Sequence, residues 1–171
     1  MGVATSVMVY QVCRRPAWRG WITAPKVLGT TVVLGLASWL AAESWSRFLD
    51  GSGSPTDQAS VCFKLALVMA IALKLGFEAA LLSPLRRSEH SPMRKSARLI
   101  TGPLARVWAL RCGCGVAGAS LGLILAILAQ SMTPAIDAGF STVLFVILLG
   151  GELLERGLFF ASVVRLKMPR R

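Results

Sequence analysis

The chain has 171 residues, 54% of them hydrophobic and only 16% charged, with a formal net charge of +11. Its mean hydropathy is +0.63. Soluble domains carry about a quarter of their residues charged, so the composition excludes an ordinary soluble enzyme and predicts an all-α integral membrane helix bundle. The positive charge lies in short patches between apolar runs, where topology signals sit. That placement argues against nucleic acid as a partner and makes membrane lipid the expected surrounding.

The predicted elements, in chain order, form a single membrane domain over residues 1–171. "MGVATSVMVYQVC", residues 1–13, is apolar but too short to span, and no Lys or Arg precedes Arg14. A secretory signal would need a charged start and a small-residue cleavage site. The segment reads as a helix stub, the last turns of a helix whose beginning is missing. This predicts a fragment or a truncated reading frame, with an interfacial segment as the alternative. Four stretches then reach the ~20 apolar residues that a crossing needs. They are residues 27–48, 60–82, 107–130 and 139–166, separated by the loop punctuation "GSGSP", "LLSPLRR" and "MTP".

Loop charge predicts the orientation. Arg14, Arg15, Arg19 and Lys26 precede the first span; Arg86, Arg87, Arg94, Lys95, Arg98 and Arg106 follow the second; Arg165, Lys167, Arg170 and Arg171 close the chain. The other two loops hold only acids, Asp50 and Asp57 in one and Asp137 in the next. Basic loops stay inside, so the chain is expected to be multi-pass in a cytoplasmic (inner) membrane with its C-terminus cytoplasmic. Trp18, Trp21 and Trp108 then fall near the inner interface and Trp45 near the outer one, as aromatic belts do.

Cys13, Cys62, Cys112 and Cys114 lie in or beside apolar runs, unlike the loop cysteines of a secreted disulfide framework. "RCGCG" lacks a second ligand pair and His90 is the single histidine, so neither a zinc site nor a haem is expected, and no cofactor is assigned to this chain. Small residues form two stripes suited to close helix approach. One is Cys114, Gly118 and Gly122 on the third span, the other Ala72, Gly76 and Ala80 on the second.

Charges inside the spans need a reason, since each costs about 2.5–3.5 kcal/mol at the bilayer centre. From a rise of about 1.5 Å per residue, Glu43 and Lys64 fall in the outer half. Lys74, Glu78, Glu152, Glu155 and Arg156 fall in the middle or inner half, and Arg111 near the inner surface. Lys74 and Glu78 share a helix face, as do Glu152 and Arg156, with Glu on the favourable N-terminal side. Glu155 extends that face and is expected to pair with a neighbour such as Lys74 or Arg111. If Arg156 is the counter-ion of Glu152, Arg156→Leu should lower membrane accumulation while Glu152→Gln should be tolerated. Such pairs either fix helix register or line a proton path or a polar wall for a headgroup; intramembrane carboxylates are the usual proton carriers.

Two blocks, "MVYQVCRRPAWRGWITAPKVLGTTVVLG" (residues 8–35) and "GELLERGLFFASVVRL" (residues 151–166), together with "SARLITGPLARVWALR" between spans, resemble the C-terminal part of the dimethyl sulfoxide reductase anchor subunit family, relatives of the polysulfide-reductase-type membrane subunits. The resemblance covers most of the chain. It implies a non-catalytic anchor that holds an iron–sulfur electron-transfer subunit and a molybdenum catalytic subunit at the membrane in anaerobic respiration. It also implies that menaquinol is the complex's electron donor and that the anchor binds no redox cofactor. The family's quinol-binding residues, including a helix-borne His, belong to its N-terminal half. No span here contains His, so no quinol-binding residue carries over. Two other classes are expected to compete: a small transporter or proton-conducting protein, motivated by Lys74, Glu78, Glu152 and Glu155, and an inactive remnant, motivated by the stub.

Overall fold

The structure is a computed structural model and describes residues 20–51, 58–80 and 104–161. The stub, the basic loop around His90, Trp18 and the basic C-terminus lie outside the described residues. Among the described residues there are four helices: α1 (Gly20–Leu49), α2 (Gln58–Ala80), α3 (Ala105–Ile127) and α4 (Pro134–Ala161). All four are long and apolar enough to cross a membrane, and among the described residues there is no strand.

Two helix ends differ from the sequence expectation. α1 starts at Gly20 rather than residue 27 and contains Pro25. Pro25 is the sixth residue of α1, beyond the four opening residues whose N–H groups have no intrahelical partner, so it leaves one helix bond unmade near the start of α1. α4 starts at Pro134 rather than residue 139. Proline in the first helical position is pre-set for the helix, and Asp137, expected in a loop, therefore lies in the first turn of α4. α1 ends in a left-handed Gly51 (φ +60°), whose amide reaches back to the Phe48 carbonyl at 3.4 Å. A side chain would be strained in that conformation.

Neighbouring helices pack in a ring, α1 on α2, α2 on α3, α3 on α4 and α4 on α1. Sequential neighbours packed side by side give this up-down arrangement. The middle of the bundle is apolar: Val33, Ala37, Leu40, Leu67, Ile71, Leu125, Leu144 and Leu148. Outward faces are apolar as well, with Leu73, Ile127 and Leu153 all more than three-fifths exposed. A soluble bundle would put polar residues there, so the protein is a multi-pass membrane bundle.

The α3/α4 seam is the tightest. A Cβ on Gly118 would come within 2.6 Å of Leu148 Cδ2, and one on Gly151 within 3.0 Å of Cys114 Cβ. The stripe of Cys114, Gly118 and Gly122 thus serves close approach on two sides, Cys114 and Gly118 against α4 and Gly122 against Val68 of α2. The second stripe does not. Ala72, Gly76 and Ala80 point outward, and nothing lies within 4 Å of a Cβ on Gly76. α2 instead turns its charged stripe, Lys64, Lys74 and Glu78, inward together with Leu67 and Ile71. Burying three charges against partners outweighs burying a small-residue face, because each unpaired charge left in lipid costs several kcal/mol.

Candidate functional site: a charged layer between the helices

Every helix contributes to one polar layer at the end of the bundle where α4 finishes. α1 brings Lys26 and Thr30, α2 Lys74 and Glu78, α3 Arg111, α4 Glu152 and Glu155. Heptad-like spacing places Lys74 and Glu78 one turn apart on the inner face of α2, and Glu152 and Glu155 likewise on α4. Three cations therefore meet three carboxylates.

Arg111 is the hub. It is 3% exposed, and its Nη2 lies 2.8 Å from Glu78 Oε1, 3.3 Å from Glu152 Oε1 and 3.6 Å from Glu155 Oε2. Lys74 Nζ bonds Glu152 Oε2 and sits 2.7 Å from Glu155 Oε2. Lys26 Nζ approaches Glu155 Oε1 from the rim at 3.7 Å. Thr30 Oγ1 accepts from Lys74 Nζ at 2.8 Å. Its one proton serves either Glu152 Oε2 at 2.6 Å or the Lys26 carbonyl at 3.0 Å. Glycines make the room: Gly29 lies against the Lys74 stem, and Gly115 and Gly151 against Arg111. A small cavity, with room for about one water molecule, opens between Lys74, Arg111, Cys114 and Glu152. The buried Arg111 Nε has no hydrogen-bond partner among the described residues.

Lys74, Glu78, Glu152 and Glu155 thus come together as the sequence suggests, and Glu155 pairs with both neighbours named for it. Arg156 does not join them. It is exposed on the outer face of α4 and has no ion-pair partner among the described residues. Residues four apart differ by about 40° around a helix. Glu152 lies toward the α1-side edge of the buried face of α4, so that rotation leaves Arg156 exposed while Lys74 and Arg111 reach Glu152 from within. The expected Glu152–Arg156 pair is replaced by pairs between helices. Lys74 and Glu78 share a face but likewise take partners on other helices. Arg111, placed near the inner surface by its depth and named only as a candidate partner of Glu155, is buried and meets three carboxylates, while sequence reasoning left Lys26 and Thr30 out of the site. Arg111's depth was the usable signal, since it falls level with the α4 carboxylates when α3 and α4 are aligned through Gly118 and Leu148.

A second, smaller layer lies about 15 Å away along α2. Lys64, 1% exposed, bonds Asp137 Oδ1 at 2.8 Å. Ser44 donates to Asp137 Oδ2 at 2.9 Å and lies 3.2 Å from Ser141 Oγ. Beside it Trp45 Nε1 donates to Thr142 Oγ1 at 2.9 Å. Glu43, the other outer charge, pairs with Arg47 on its own helix.

Among the described residues, no group of three or more His, Cys, Asp or Glu side chains is arranged to hold a metal ion. Comparison with protein-family models, curated proteins and solved structures returns no match.

Proposed function

We propose that the chain is a membrane anchor subunit of a dimethyl sulfoxide reductase-type complex. In this reading it holds an iron–sulfur electron-transfer subunit and a molybdenum catalytic subunit at the cytoplasmic membrane, with menaquinol as electron donor and its own C-terminus cytoplasmic. The observation that carries the reading is the place of "GELLERGLFF", the block with the family resemblance. Its two carboxylates are the members of the charged layer through which α4 is tied to all three other helices. Such a layer makes a rigid platform at one end of the bundle, as a subunit that docks a soluble partner requires.

A proton-conducting protein is the competing reading. A conduction path needs polar groups in sequence across the bilayer. Here Val33, Ala37, Leu40, Leu67, Ile71, Leu125, Leu144 and Leu148 fill the middle between the two polar layers, which favours the anchor. The test is a mild-detergent pull-down of the tagged chain from anaerobically grown cells, read by mass spectrometry and iron content. Co-purification of an iron–sulfur protein and a molybdenum subunit is expected. An iron-free chain recovered alone would overturn the proposal, and proton flux in reconstituted vesicles would then favour the competing reading.

A further inference from the structure

α4 carries one cation that the charged layer does not use. Lys26, Lys74 and Arg111 already partner Glu152 and Glu155, so among the described residues Arg156 is left as surplus positive charge on an apolar wall. Its direction follows from its neighbours at about 100° per residue. Gly151 faces Cys114 on α3. Glu152, about 100° on, reaches Thr30 of α1. Thr142, about 180° from Gly151, takes the hydrogen bond of Trp45 on α1. Arg156 falls between these two, at about 140°, and so lies along the α1/α4 seam. Its level is fixed by the adjacent Glu155, which meets Lys26 on α1. Lys26 keeps 22% of its side chain exposed there.

Arg156 is five residues from the end of α4 at Ala161, about 7 Å. An arginine at that depth extends its guanidinium to the headgroup level while its stem stays among apolar groups. Below it the same seam is apolar, with half-buried Val27 and Leu34 on α1 and Leu149 and exposed Leu153 on α4. An exposed cation above an apolar seam between two membrane helices suits a molecule whose anionic head and acyl chain are joined.

We propose that the α1/α4 seam at this end of the bundle binds an anionic phospholipid. The headgroup phosphate lies at Arg156, and an acyl chain runs along Val27, Leu34, Leu149 and Leu153. The site is separate from the anchor reading and stands without it, because it needs only the bundle and the bilayer.

The test uses the full chain in nanodiscs of equal phosphatidylglycerol and phosphatidylcholine, followed by native mass spectrometry of the lipids retained after delipidation. The parent should retain phosphatidylglycerol in preference. Arg156→Gln should lower its retention about fivefold, the scale of one basic residue at a membrane surface, and Arg156→Lys should restore most of it. Arg106→Gln, which removes an exposed cation at the start of α3, should leave retention unchanged. Three results would overturn the proposal: no preference in the parent, equal losses from Arg106→Gln and Arg156→Gln, or displacement of the lipid by inorganic phosphate alone. The last would mean that the groove contributes nothing. Thermal unfolding of Arg156→Gln at the parent's temperature separates a lost site from a lost fold.

Discussion

The two polar layers of the bundle solve one problem in two ways. The layer of Lys64 and Asp137 is a single pair between α2 and α4, finished by hydroxyls from Ser44 and Ser141. The layer around Arg111 joins four helices, and its cations are shared: Arg111 meets three carboxylates, Lys74 two. A pair tolerates the loss of a partner only if something else can accept its hydrogen bond. A shared layer spreads the loss over every member, because one removed cation unbalances several carboxylates at once. Buried charges left without partners are costly in either case, so the comparison is between one local penalty and a distributed one.

The largest effect is expected from Arg111→Leu. It leaves Glu78 without its ion-pair partner and weakens the hold on Glu152 and Glu155. The loss should reach about 3–5 kcal/mol, read as a lower unfolding temperature in mild detergent and reduced membrane accumulation. A parent-like Arg111→Leu protein would mean that the carboxylates do not depend on the hub.

Asp137→Asn should cost less, at or below about 3 kcal/mol, the low end for a broken buried pair. The amide oxygen can still accept from Lys64, and the amide nitrogen, in the place of Oδ2, can donate to the Ser44 hydroxyl, which reverses its role. Replacing both partners, Lys64→Met with Asp137→Leu, should recover most of the stability, since apolar residues of similar volume often replace a buried pair without loss. A double variant weaker than Asp137→Asn would show that the pair itself stabilises the bundle. The same swap has no simple counterpart in the shared layer, which sharpens the contrast.

The smallest effect is expected from Arg156→Leu, within about 0.5 kcal/mol of the parent. An intrahelical Glu152–Arg156 pair would instead predict a marked drop in accumulation. Measuring Arg156→Leu beside Arg111→Leu on one gel of membrane fractions decides between pairing within α4 and pairing across the bundle.

Much of this was legible in the residues. The four spans follow from apolar length, and the charge-bearing positions are visible as interruptions of those runs. Lys74, Glu78, Glu152 and Glu155 meet because their spacing puts each pair on one face of its helix. Asp137 was misplaced because hydropathy marks where apolar character begins, whereas Pro134 starts the helix a turn earlier. Ala72, Gly76 and Ala80 were misread because a small-residue stripe and a charged stripe occupy different faces of α2, and only one face can turn inward.

By itself the sequence determined the four apolar spans and the positions along them at which charges interrupt the apolar runs. Those depend on order and spacing, which a helix converts directly into rise and angle. Only the tertiary structure decided which charge meets which. Side chains four apart on one helix and side chains on facing helices are both within reach of a carboxylate. The rotation of each helix about its own axis chooses between them, and that rotation is set jointly by all four packing seams. Arg111 became the hub and Arg156 an outward cation for that reason alone.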